Sequence, residues 1–158
     1  MRESWVRVPS DAHLFNLTNI KKMNITPTQI NELKPNEVFV FGSNLDGNHA
    51  GGAAWCAVMH FGAKMGQNVG LQGQSYAIPT LSHAGGLDEH KLPINTIGSY
   101  VNDFITFAKE HKELFFYVTP IGCGIAGFTE EEIAPLFAEC IKMDNVALPK
   151  TFIEVLGC

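Results

Sequence analysis

Apolar and polar positions along this chain alternate in blocks whose periods predict strands and helices in turn. Glu37-Val38-Phe39-Val40-Phe41 is a continuous apolar run, the pattern of a strand covered on both faces. Gln74 to Pro79 reads as a second strand, with its proline at the end where a missing N–H matters least. Leu114 to Thr119 is a third, and Thr151-Phe152-Ile153-Glu154-Val155-Leu156 reads as a final strand. Helical spacing is clearest from Pro93 to His111, where Ile94, Ile97, Val101, Phe104, Ile105 and Ala108 recur on one face. Shorter helices are expected over Gly52 to Phe61 and from about Glu130 to Lys142, the latter capped by Thr129. Phe104, Phe107, Phe115, Phe116 and Phe137 follow these periods and are expected in the core.

The N-terminal 34 residues carry a weaker pattern. Trp5-Val6-Arg7-Val8 alternates like a short strand, and Thr26-Pro27 opens a short helix ending before Pro35. The segment 1–34 is expected to be an extension or a set of edge elements, with 35–158 as the core of a single domain. Alternating strands and helices predict an α/β, three-layer α/β/α architecture.

Composition narrows the function classes. The 158 residues suffice for one domain with a real core, and the formal net charge of −5 argues against an extended nucleic-acid surface. No apolar run is long enough for a membrane span, and the start of the chain lacks a signal-peptide pattern. Cys56, Cys123, Cys140 and Cys158 form no CxxC and read as reduced thiols of a cytoplasmic protein.

Two strand-to-helix connections are rich in glycine and small polar residues: Gly42 to Gly52, and Gly122 to Gly127. Glycines at such junctions admit positive φ and let a ligand approach the main-chain amides. If the two strands are parallel neighbours, the loops face one another across a cleft at the carboxyl edge of the sheet, a place suited to anions. The standard phosphate signatures do not explain them. GxxxxGK[ST] is absent. Gly122-Cys123-Gly124-Ile125-Ala126-Gly127 spells GxGxxG, but late in the chain and without an acidic residue closing a following strand.

The segment Pro120 to Phe128, entering Glu130-Glu131-Glu132-Ile133-Ala134, resembles the second phosphate loop of macro domains. Val38 to Asn44, followed by His49-Ala50-Gly51-Gly52-Ala53-Ala54, is similar to their first loop, so the resemblance spans about Glu37 to Lys142. It implies a mixed central sheet and binding of ADP-ribose or a related nucleotide diphosphate, with hydrolysis of an ADP-ribose derivative as a further expectation. No metal and no cofactor are expected. By position, Asn44 resembles the asparagine that bonds the distal ribose. Gly42, Ser43, Gly51, Gly52 and Ala53 belong to the first loop beside ribose and pyrophosphate. Gly122, Cys123, Gly124, Ile125, Ala126 and Gly127 resemble the amide cradle, with Phe128 as an aromatic wall. Ala126 stands where macro domains usually carry an aromatic, the second asparagine of the first loop is missing from its usual place, and Asp11 is the nearest candidate for the adenine-reading aspartate.

For chemistry, Asp46 and His49 beside Asn44 are the residues placed to orient a water for glycosidic hydrolysis, against the plainer roles of turn former and solvated side chain. Cys123 opens an alternative: a thiol-dependent hydrolase or transferase, if the turn lowers its pKa. A non-catalytic reader module is the remaining alternative. Cys56 and His60, four residues apart, are two ligands short of a metal site. His83, His90 and Lys91 lie in a polar loop, Leu81 to Leu92, expected to be mobile, which reaches a ligand only by folding over the cleft.

Overall fold

A computed structural model describes residues 23–157. Its sheet contains β1 (Glu37–Asn44), β2 (Gly70–Gln72), β3 (Ser75–Leu81), β4 (Phe115–Val118) and β5 (Val146–Ala147), in the order β2-β3-β1-β4-β5. β1 is central and parallel to both β3 and β4; β5 is parallel to β4, and among the described strands only the edge strand β2 is antiparallel. Four α-helices accompany it among the described residues: α1 (Gly52–His60), α2 (Ile94–Glu110), α3 (Glu130–Ile133) and α4 (Lys150–Val155). The result is the α/β, three-layer arrangement with a mixed sheet.

The two-residue period of β1 divides the core between the faces. Val38 and Val40 join Ile78, Phe116 and Val118 in the larger cluster, which α2 covers with Ile97, Val101, Phe104, Ile105 and Ala108. Phe39 and Phe41 point the other way, with Ala77, under α1. The α1 face is buried through Ala54 and Ala57, side chains small enough to bring the helix close to the sheet. Phe61 then packs on Phe39 at a ring-centroid distance of 4.9 Å.

Helices therefore leave the sheet in opposite directions. The chain after β1 crosses to the face of α1, while β3 and β4 feed elements packed on the other face. A change of direction between neighbouring parallel strands opens a crevice at their carboxyl ends.

Three sequence expectations are corrected. Thr26 to Lys34 is not a helix: the Thr26 amide donates to Leu148 O at 2.8 Å and Leu148 N returns to Asn24 O at 3.1 Å, so residues 24–26 act as a sheet-edge bridge. Thr26 Oγ1 is buried with no partner, so it caps nothing. Thr151 to Leu156 is helix, not strand. Pro149 supplies a preset φ of −57°, its carbonyl accepts from Phe152 and Ile153, and the helix buries these two adjacent residues. The parallel strand next to β4 is instead the two-residue β5, too short to leave a period in the sequence. The expected helix from Glu130 stays α only through Ile133 and continues as a 3₁₀ helix over Ala134–Lys142. Pro135 lacks an N–H and its ring crowds the preceding turn, which ends the α-helical ladder. Thr129 does cap as expected: its Oγ1 accepts from Glu132 N at 3.2 Å, and Glu132 Oε1 accepts from Thr129 N at 2.9 Å. The expected strand at Trp5–Val8 lies outside the described residues, as does Asp11.

Candidate functional site

A cavity of about 410 Å³ lies over the carboxyl ends of β1, β3 and β4. Three loops wall it. From the β1–α1 connection come Gly42, Ser43, Asn44, Asn48, Ala50, Gly51 and Gly52, continuing into Ala53 and Ala54 of α1. From the end of β4 come Thr119, Pro120, Ile121, Gly122, Gly124, Ile125 and Ala126. The third wall is Thr80, Leu81, Ala84 and Gly85, at and after the end of β3. Among the described residues no charged side chain lines the cavity.

The donors on these walls are main-chain amides. Among the described residues, the amides of Gly52, Ala53 and Ala54 have no hydrogen-bond partner, and the first helical bond of α1 is Trp55 N to Gly51 O at 3.2 Å. The helix start has no side-chain cap and no acidic residue in its first turn, so its positive end is left uncompensated. Opposite, the amides of Gly122, Gly124, Ile125 and Ala126 are also unpartnered. The loop that carries them is held by its own backbone: Phe128 N bonds Gly122 O at 2.8 Å and Gly127 N bonds Gly124 O at 3.0 Å. Gly122 takes φ +78°, and a Cβ there would press on Ile133 and Phe128 at 3.2–3.3 Å, so the turn requires glycine.

The hydroxyls of the cleft are already donating elsewhere. Ser43 Oγ donates to Asn68 O at 2.6 Å, Thr119 Oγ1 to Val40 O at 2.7 Å, and Thr80 Oγ1 to Ser43 O at 3.4 Å. The Asn44 carboxamide is occupied within its own loop: Nδ2 donates to Asn48 O at 2.9 Å, and Oδ1 accepts from Asn48 N at 3.0 Å. Apart from the Asn48 carboxamide, which no hydrogen bond occupies, the donors that these walls leave free for an anion are main-chain amides.

Of the residues expected to bind ligand, Gly42, Ser43, Asn44, Gly51, Gly52, Ala53, Gly122, Gly124, Ile125 and Ala126 line this one cavity. Cys123, Gly127 and Phe128 do not. Cys123 packs against the larger core cluster, and Phe128 is 8% exposed within it, under the Lys91 ammonium rather than beside a ligand. The Gly127 carbonyl accepts from Lys91 Nζ at 3.1 Å.

The residues expected to activate water are not brought together. His49 is fully buried, edge-on to Phe41 at 5.1 Å, with Nε2 2.9 Å from Gln67 O. A carbonyl only accepts, so Nε2 carries the proton, and Nδ1 is left without a partner. Asp46 turns outward and accepts from His83 Nδ1 at 3.1 Å, both side chains about half exposed or more. Neither Asp46 nor His49 lines the cavity. The Cys123 thiol is pushed up to about 11, first by burial and then by the charges of Glu130, Glu131 and Glu132. It is protonated at neutral pH, the opposite of an activated nucleophile. Among the described residues no group of His, Cys, Asp and Glu is arranged to hold a metal, and Cys56 is a free thiol on α1.

The loop expected to reach a ligand only by folding over the cleft does fold back: Ser82 N bonds His90 O at 2.7 Å and Leu92 N bonds Thr80 O at 3.0 Å. It meets the cavity through Ala84 and Gly85, beside Thr80 and Leu81, and not through His83, His90 or Lys91; sequence reasoning gave those small residues no part in the site, although Ala84-Gly85-Gly86 follows a strand end just as in the other two loops. No protein-family model, curated protein or solved structure matches this chain.

Proposed function

We propose that this protein binds ADP-ribose or a related nucleotide diphosphate, as a macro-domain-like module that grips the pyrophosphate by backbone amides. One observation carries the reading: two sets of residues with unpartnered amides, Gly52–Ala54 and Gly122 with Gly124–Ala126, line one cavity, which no charged side chain lines among the described residues. Its volume of about 410 Å³ suits a nucleotide-sized ligand. Amide dipoles stabilise a diphosphate without the clustered lysines and arginines that this acidic chain lacks.

Binding is the core of the proposal, and a reader role is preferred over hydrolysis. Proton transfer at a glycosidic bond needs a titratable group in reach, and among the described residues none lines the cavity. The half-buried, protonated Cys123 does not favour thiol chemistry either. Free thiols at Cys56, Cys123 and Cys140 accord with a reducing, cytoplasmic setting. No helix among the described residues is long and apolar enough to cross a membrane.

Calorimetric titration with ADP-ribose tests the reading. Saturable binding below about 1 mM is expected; absence of heat at millimolar ligand, with folded protein, refutes it. Turnover of ADP-ribosylated substrates in a parallel assay would replace the reader by a hydrolase.

A further inference from the structure

The loop between β3 and α2 touches both glycine loops, and Lys91, near its end, makes the most specific of these contacts. Lys91 is only partly exposed, at 26% of its side chain. Its Nζ donates to Gly127 O at 3.1 Å, stands 5.0 Å above the Phe128 ring, and pairs with Asp88 at 3.3 Å. Its stem also lies 3.6 Å from where a Cβ on Gly127 would stand. At the other end of the loop, His83 reaches Asp46 of the first glycine loop at 3.1 Å. Midway, a Cβ on Gly86 would fall 2.8 Å from Ile125 O, so the backbones of the two loops are in close approach.

The bond to Gly127 acts on a particular peptide. Gly127 C=O and Phe128 N–H belong to one planar unit, and that N–H closes the second loop by donating to Gly122 O at 2.8 Å. Holding the carbonyl outward on an ammonium fixes the tilt of the plane and hence the closing bond. That bond in turn sets the turn carrying the free amides of Gly124 to Ala126. The Phe128 ring beneath the ammonium resists sideways motion of the same unit.

We propose that Lys91 is a positioning residue for the amide cradle: it touches no cavity surface itself, and it presets the Gly122–Phe128 turn in its anion-accepting form. The proposal rests on the binding reading for its effect on ligand, but its effect on the empty loop is independent of any ligand. Lys91→Met keeps most of the stem and removes the donor; Lys91→Arg restores a cation that can reach the carbonyl and lie on the ring.

Two measurements decide. In ligand-free protein, amide hydrogen exchange at Phe128 and Gly127 is expected to speed at least about tenfold in Lys91→Met and to recover in Lys91→Arg, as for loss of a charge-assisted bond. ADP-ribose affinity is expected to fall about tenfold in Lys91→Met, recover in Lys91→Arg, and stay within about twofold in Asp88→Asn, which removes only an exposed ion pair. Unchanged exchange in Lys91→Met overturns the proposal whether or not the wild type binds. Wild-type binding with an unaltered Lys91→Met affinity overturns it too. No binding by wild type, with accelerated exchange in the variant, refutes the ADP-ribose reading and upholds the role of Lys91. Should Lys91→Met unfold, the same measurements on Lys91→Leu, which also lacks a donor, decide.

Discussion

Asn44 clasps the backbone of Asn48 with both ends of its carboxamide, giving a hydrogen bond to the Asn48 carbonyl and taking one from its amide. The clasp turns the chain at the end of β1 and delivers Ala50 to Gly52 to the cleft wall. Asn44→Ala is expected to destabilise the fold by about 2 kcal/mol, two partly buried hydrogen bonds being lost. Asn44→Asp should cost more, because a carboxylate oxygen then faces the Asn48 carbonyl at the position of the present donor. Denaturant midpoints of the two variants test the order, and equal stability of Asn44→Asp and wild type would contradict it.

Gly124 separates binding from folding. Its φ is not in the left-handed region, and a Cβ there would have no atom within 4 Å. Gly124→Val is therefore expected to leave the melting temperature within a few degrees while reducing ADP-ribose affinity by about tenfold or more, since the added methyls occupy the cavity edge. Calorimetry beside thermal denaturation reads both effects.

Gly47 is the reverse case. It lies outside the cavity at φ +69°, and a Cβ would come within 2.6 Å of the Gly66 backbone, whose amide donates to Gly47 O. Neither strand of this crossing can yield without breaking that bond. Gly47→Ala is expected to cost at least about 2 kcal/mol in unfolding free energy, through left-handed strain added to overlap.

Two pH profiles should differ. Because no titratable side chain among the described residues lines the cavity, ADP-ribose affinity is expected to change little between about pH 6 and pH 9, where the pyrophosphate keeps its charge. Stability should respond at high pH instead. Burial raises Cys123 to about 11, and raises Cys140 and Tyr76 to about 12. With folded values above the ordinary 9 and 10, this stabilisation is complete below about pH 9. It is lost as pH rises toward about 12, where the unfolded chain has already released its protons. Urea unfolding from pH 7 to pH 11 should show the decline, and iodoacetamide should label folded Cys123 slowly at neutral pH.

The local chain chemistry determined much of this protein. The apolar run at Val38–Phe41, the helical stripe from Ile97 to Ala108, the Thr129 cap and the two glycine loops are all short-range patterns, and each stands where its residues place it. Their common site at the carboxyl edge followed from α/β order, because parallel strands put their exit loops on one side. What tertiary structure alone decided is how individual side chains are used. Phe152 and Ile153 suit a strand as well as a helix until the core accepts them side by side from α4. His49 and Asp46 are three residues apart, yet one is sealed behind Phe41 and the other pairs with His83, because a turn sends successive side chains to different neighbours. The third wall joins Thr80 to Ser43 across 37 positions and the Lys91 contact joins residues 36 positions apart, pairings no local period encodes.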